Sequence, residues 1–269
     1  MTLQAITPTP AGSGRELGDL RLGIVGAGKF ATTVARAAVV AGYDVTMSGS
    51  GPAEDIALTV AILAPGAHAG TTAAVVRHAD TILLAVPTHR FREFPGDLFD
   101  GKILIDAMNH WEPVDGDDPE LTTAPGGTST IVQERFPAAR VVKSLNQLGY
   151  HELDEHRRPP GSPDRVAVAA AGDDRLAVRA VMRLIDRLGF DPVDAGPLEN
   201  GRLLEPDGSP FAVTHTAAEL SKLVATDLGA QQSPRRSERG AGADCRPQVD
   251  TSGLRAQARR NAITARTRR

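Results

Sequence analysis

Residues 21–51 read RLGIVGAGKFATTVARAAVVAGYDVTMSGSG. Leu22 to Val25 form a short apolar strand, and Gly26-Ala27-Gly28-Lys29-Phe30-Ala31 fits the G-x-G-x-x-G/A pattern of a dinucleotide-binding turn. A helical pattern then runs from Lys29 to Ala41. In such a unit Gly26 permits the tight turn, Gly28 lets a pyrophosphate approach the backbone, and Ala31 leaves the helix close to the strand. The amides of Lys29, Phe30 and Ala31 face the phosphates with the positive end of the helix dipole.

The acidic residue that usually grips the adenine ribose, about 20 positions after the first glycine, is missing. Ser48-Gly49-Ser50-Gly51 stands there instead. Asp44 is near in sequence but precedes the second strand; three or four residues at about 3.3 Å each put it roughly 10 Å from the carboxyl end where the ribose lies. Without a carboxylate to repel a 2′-phosphate, Ser48 and Ser50 as hydroxyl donors and Gly49 as an amide donor favour NADP(H) over NAD.

Outward from this unit, strand and helix signals alternate. Strands are expected at Thr81 to Val86, Lys102 to Asp106, Arg140 to Ser144, Arg165 to Ala170 and Phe190 to Asp194, after those at Leu22 to Val25 and Asp44 to Met47. Helices are expected at Glu54 to Leu63, Thr72 to His78 and Thr128 to Phe136. The clearest helix lies in GDDRLAVRAVMRLIDRLGF. Asp173 or Asp174 caps it, Leu176, Ala180, Val181, Leu184, Ile185 and Leu188 recur at helical spacing, and Gly189 stops it. A modest helix from about Val213 to Leu228 closes the folded part, and the Pro-, Gly- and Asp-rich stretches 112–127 and 157–164 read as surface loops. The expected fold is α/β, a single doubly wound Rossmann-type domain with a mainly parallel sheet over 21–228, preceded by a flexible leader at 1–20.

Composition agrees. The chain has 269 residues, 41% of them hydrophobic, enough for a sizeable core. No apolar run reaches the roughly 18 residues of a membrane span. The single cysteine, Cys245, gives no internal disulfide and suits a reducing cytoplasm. The net charge of −3 is uneven: residues 235–269 carry ten arginines against Glu238, Asp244 and Asp250. Residues 229–269 are therefore expected to be a basic, disordered tail, and the lack of aromatic residues among the arginines argues against nucleic-acid binding.

The segments GIVGAGKFA, MSGSGPAED, ILLAVPTHRF, KILIDAMNHW, ARVVKSLNQLG, VAAAGDD and GFDPVDAGPLENGRLLEP, in order from residue 21 to 212, resemble the bacterial branch of the NADPH:coenzyme F420 oxidoreductase family. The resemblance implies hydride transfer between NADPH and coenzyme F420, a homodimer, and catalysis by placement of two coenzymes rather than by protein acids and bases. It implies that Val86, Pro87 and His89 line the dinucleotide, and that Asn109 and Asn146 lie near the nicotinamide and the second coenzyme. No side chain is assigned as catalytic, and His110, His151 and His156 lack metal-ligand spacing.

Two positions depart from the family: Gly51 stands where it usually has an arginine, and His110-Trp111 follow Asn109 where it often has proline. Lys29 is the candidate to replace the arginine, and Lys143, inside an apolar strand, is expected to carry its charge to the sheet's end. Other readings of the same dinucleotide site are an NADPH-dependent reductase of a flavin, quinone, carbonyl or imine, and a non-catalytic NADPH-binding redox sensor.

Overall fold

The structure is a computed structural model and describes residues 20–232. The expected leader up to residue 19, the basic tail from residue 233 and Cys245 lie outside the described residues. Eight strands form one sheet: β1 (Arg21–Val25), β2 (Asp44–Ser48), β3 (His68–Gly70), β4 (Thr81–Leu84), β5 (Ile103–Asp106), β6 (Arg140–Ser144), β7 (Ala167–Gly172) and β8 (Asp191–Gly196). The helices are α1 (Lys29–Val40), α2 (Glu54–Leu63), α3 (Thr72–His78), α4 (Glu112–Asp115), α5 (Pro119–Thr122), α6 (Thr128–Arg135), α7 (Tyr150–Glu155), α8 (Arg175–Leu188) and α9 (Ala217–Gln232). Two 3-10 segments span Thr88–Glu93 and Leu198–Leu204.

Strand order is β3-β2-β1-β4-β5-β6-β7-β8, parallel throughout except for the antiparallel pair β6 and β7. The chain leaves β1 toward β2 and β3, then returns to β4 on the other side of β1. That reversal opens a crevice above the carboxyl ends of β1 and β4, where doubly wound folds bind ligands.

Alternation along the strands supplies both faces. Leu22, Ile24, Leu83, Ile103 and Ile105 join α1, α2 and α8 in one buried cluster. Val25, Ile82, Leu84 and Leu104 point the other way and pack with Val75 of α3 and Val132 of α6. This two-sided burial explains why Ile82, Leu83 and Leu84 of β4 read as an unbroken apolar run. A third cluster at the β7–β8 edge is closed by Leu203, Leu204 and by Leu220 and Val224 of α9.

In α8, Asp174 accepts hydrogen bonds from the Leu176 and Ala177 amides, and Gly189 ends the helix with φ 103°. Val178, Val181, Leu184, Ile185 and Leu188 are buried, each contributing about 1.5–3 kcal/mol by removal from water. Leu176, expected on the apolar face, is instead 65% exposed because it occupies the first turn, where Ala177 and Val178 face the sheet.

The two short elements β3 and α7 were not legible: three residues of His-Ala-Gly have no alternation to detect, and α7 lacks an apolar stripe. The stretch 112–127 holds α4 and α5 and is pinned by Arg92, which bonds Asp118 and Glu120 at 2.7 Å each. Helix α9 starts at Ala217 rather than Val213 and continues past the expected end at 228. Among the described residues, no helix is long and apolar enough to cross a membrane.

Candidate functional site

The Gly26 to Ala31 turn sits at the crevice. Gly26 has φ 134°, its amide donates to the Ser48 carbonyl at 2.8 Å, and a Cβ there would collide with the Ala85 carbonyl. Glycine at 26 is therefore required by the protein's own backbone. Gly28 is different. It is the N-cap of α1 with φ −76°, and a Cβ built on it meets no heavy atom within 4 Å. Among the described residues nothing requires glycine at 28, so the empty space fits a ligand that approaches the backbone.

Helix α1 adds to this fit. It has no side-chain cap and no acidic residue in its first turn. The amides of Lys29, Phe30 and Ala31 begin a 12-residue helix whose first intrahelical bond from this end is Thr32 to the Gly28 carbonyl at 3.0 Å. A pyrophosphate would satisfy these donors and the helix dipole together. Ala31 is buried, bringing α1 against the sheet, and Phe30 packs at the edge of the same core.

At the end of β2 the expected trio separates. Ser48 is fully buried, and its hydroxyl accepts from Thr72 Oγ1 at 3.2 Å. Ser48 was expected to donate its hydroxyl to a 2′-phosphate; it is instead the last strand residue, buried, with its side chain tying β2 to α3. Gly49 is half-buried, because a Cβ there would lie 2.6 Å from Ile56 Cγ2. Ser50 alone is exposed. Asp44, as expected, starts β2 at the opposite edge, beside His68 and His78.

Lys29 does not turn toward that loop. Its ammonium lies 5.3 Å from the ring centroid of Tyr150, at the start of α7, which follows β6. Because β2 and β6 lie on opposite sides of β1, this contact carries the charge away from the second-strand loop and corrects its reading as a replacement for the arginine.

Beyond β4, Val86 is half-buried against the core, Pro87 is exposed and directly precedes the 3-10 segment, Thr88 is buried and His89 is exposed. Beyond β5 and β6 the two asparagines meet. Asn109 Nδ2 donates to the Asn146 carbonyl at 2.8 Å, and Asn146 Nδ2 donates to Asn109 Oδ1 at 3.0 Å and to the Leu204 carbonyl at 2.7 Å. Leu145, between Ser144 and Asn146, adopts φ 65°, a conformation uncommon for leucine that turns the chain at the strand end.

Below this edge lies a buried ion pair. Lys143 is fully buried, donating to the Met108 carbonyl at 2.6 Å and to Asp106 Oδ2 at 3.4 Å. Asp106 also accepts from Ser129 Oγ at 2.6 Å and from the Met108 amide at 2.9 Å. The lysine thus does not carry its charge into solvent; it clamps the residue before Asn109.

Two buried atoms at this edge have no partner among the described residues: Asn146 Oδ1 and His110 Nε2. The other ring nitrogen of His110 lies 3.4 Å from Thr88 Oγ1. Trp111 lies against Phe211, ring centroids 6.3 Å apart. The sequence named His110 as a departure from the family and as a histidine without metal-ligand spacing; its place beside Thr88 arises only because residues 22 apart meet in the fold. Among the described residues, no group of three or more His, Cys, Asp or Glu is arranged to hold a metal.

The reversal of strand order at β1 and β4, the glycine turn and the uncapped helix define a Rossmann-type dinucleotide-binding fold. Residues 21–110 match the family described as NADP oxidoreductase, coenzyme F420-dependent.

The chain is 43% identical over 68 residues to protein YjhV of Escherichia coli (strain K12), covering 25% of this chain and 50% of that protein. It is 26% identical over 187 residues to the metalloreductase STEAP3 of Rattus norvegicus, covering 69% of this chain and 36% of that protein. It therefore spans half or less of the length of these curated relatives.

Two crystal structures share the fold. A hypothetical protein of Sinorhizobium meliloti is 23% identical with a TM-score of 0.64, covering 74% of this chain and 96% of that one. A protein of Arthrobacter sp. FB24, provisionally assigned as an F420-dependent NADP reductase, is 24% identical with a TM-score of 0.58, covering 79% of this chain and 94% of that one.

Proposed function

We propose that this protein binds NADP(H) in the crevice above β1 and β4 and transfers hydride between it and a second redox coenzyme, coenzyme F420. The observation that carries the dinucleotide half is Gly28. It is a glycine with open space where its Cβ would be, at the head of a helix with neither cap nor acid. Bound NADPH would supply the hydride. The chain would contribute the α1 amides for the pyrophosphate, Val86, Pro87 and His89 along the dinucleotide, and the Asn109–Asn146 pair at the nicotinamide end. The unpartnered Asn146 Oδ1 suits a donor such as a carboxamide N–H. The choice of F420 as acceptor rests on the family matched by residues 21–110.

A second reading is favoured by His110. Its Nε2 has no partner while Nδ1 lies 3.4 Å from Thr88 Oγ1, and an imidazole N–H at Nε2 would be the proton donor that reduction of a carbonyl or imine requires in addition to hydride. One assay series separates the two: NADPH is mixed with the purified chain and, in turn, coenzyme F420, free flavin, a quinone, and carbonyl and imine substrates. Bleaching of the deazaflavin absorbance supports the first reading. Turnover of a carbonyl or imine alone, lost in His110→Ala, supports the second. Dinucleotide binding without any turnover rejects both in favour of a sensor.

A further inference from the structure

Selection between NADPH and NADH is made at the loop after β2, and the charges there are negative. No Lys or Arg occurs between Arg36 and Arg77. Arg36 is committed to the Leu63 carbonyl at 2.8 Å and to Asp154 at 3.0 Å. Arg77 lies in the last turn of α3, away from the carboxyl edge, and the Lys29 ammonium lies over Tyr150.

The first turn of α2 carries Glu54 and Asp55. Asp55 does more than decorate a helix start. A Cβ on Gly51 would lie 2.5 Å from Asp55 Oδ2, so this carboxylate folds back onto the loop and occupies the point from which a side chain at 51 would grow. Asp55 is exposed, its amide donates to the Pro52 carbonyl at 3.2 Å, and among the described residues its carboxylate makes no hydrogen bond or ion pair. A carboxylate has returned to the second-strand loop through the helix that follows, in a place where strand-based spacing does not look for it.

We infer that Asp55 is the residue that sets dinucleotide selection, accepting from the ribose hydroxyls and repelling a 2′-phosphate, so that the chain binds NADH about as well as NADPH. The inference rests on the dinucleotide site proposed above and removes the NADP preference that the missing strand-end acid suggests. Coulomb repulsion at an exposed site is screened by salt, so the effect is largest at low ionic strength.

The test is a fluorescence titration of the full chain with NADPH and with NADH, for the wild type and for Asp55→Asn, at low and high salt. The expected result is a wild-type ratio of dissociation constants within about threefold, and a roughly tenfold gain in NADPH affinity in Asp55→Asn, with NADH unchanged or weaker. A conformational effect of the substitution would move both nucleotides together, whereas the electrostatic role moves their ratio, and does so less at high salt. Binding of neither nucleotide by the wild type overturns the site itself. Binding of both, with a tenfold or greater wild-type preference for NADPH or with no change in the ratio in Asp55→Asn, overturns the role of Asp55 alone.

Discussion

Asn109 and Asn146, 37 residues apart in sequence, hold each other at the carboxyl ends of β5 and β6, each donating its side-chain amide to the other residue at 2.8 Å and 3.0 Å. Asn146 is 2% exposed and also holds the Leu204 carbonyl, so one side chain joins three segments. Asn146→Ala leaves Asn109 Oδ1 and the Leu204 carbonyl without that donor. The expected loss is about 1–3 kcal/mol of unfolding free energy, read by urea denaturation. A loss below about 0.5 kcal/mol would mean that water replaces the lock and that it does not fix the edge.

The two glycines of the turn give opposite phenotypes. Gly26→Ala places a methyl against the Ala85 carbonyl at φ 134°, and the variant is expected to melt several degrees lower or to fail to fold. Gly28→Val adds its side chain to open space, so thermal stability changes by no more than a few degrees while dinucleotide affinity falls by more than about tenfold. Thermal melting paired with nucleotide titration checks both. Intact affinity in Gly28→Val contradicts the placement of the pyrophosphate.

Lys143 and Asp106 are both fully buried, and each is tolerable only in the presence of the other. Lys143→Met strands the Asp106 carboxylate with only Ser129 and the Met108 amide, and is expected to destabilise by about 3–5 kcal/mol. Adding Asp106→Asn to that variant removes the stranded charge and restores part of the loss. Equal denaturation midpoints for the single and double variants would show that the charge is not the cause.

Acid should unfold the protein through its paired carboxylates. The Arg175 guanidinium bonded to Asp194 holds that carboxyl below its ordinary 3.8, against the opposing effect of burial. Lys102 does the same for Asp80, and Arg92 for Asp118 despite burial acting the other way. Each depressed value means that the unfolded chain takes up protons first as pH falls. Stability is thus fully present above about pH 5 and declines as pH drops through 3.8 toward the folded values. Asp194→Asn is expected to flatten this acid limb in urea midpoints measured from pH 7 to pH 3; an unaltered slope would remove Asp194 from the account.

Legibility followed the range of the forces involved. Residues 21–63 were readable because a strand buried on both faces, a glycine turn and an alanine-rich helix each leave a local pattern, and the bounds of α2, α3 and β6 follow from the sequence alone. The antiparallel turn into β7 was not readable. Ser144 and Gln147 hold the Ala169 backbone there and Leu145 takes a positive φ, none of which has a periodic signature.

At the site, the sequence by itself determined the glycine turn, the uncapped helix head and the absence of an acid at the end of β2, because these are set by neighbours within a few residues. Only the tertiary structure decided that Ser48 is buried, that Lys29 turns to Tyr150, that Asn109 meets Asn146, and that Asp55 reaches Gly51. Each depends on which element packs beside which. A side chain's charge is written in the sequence, but the dielectric and the partners that give it a role exist only once distant strands and helices have closed around it.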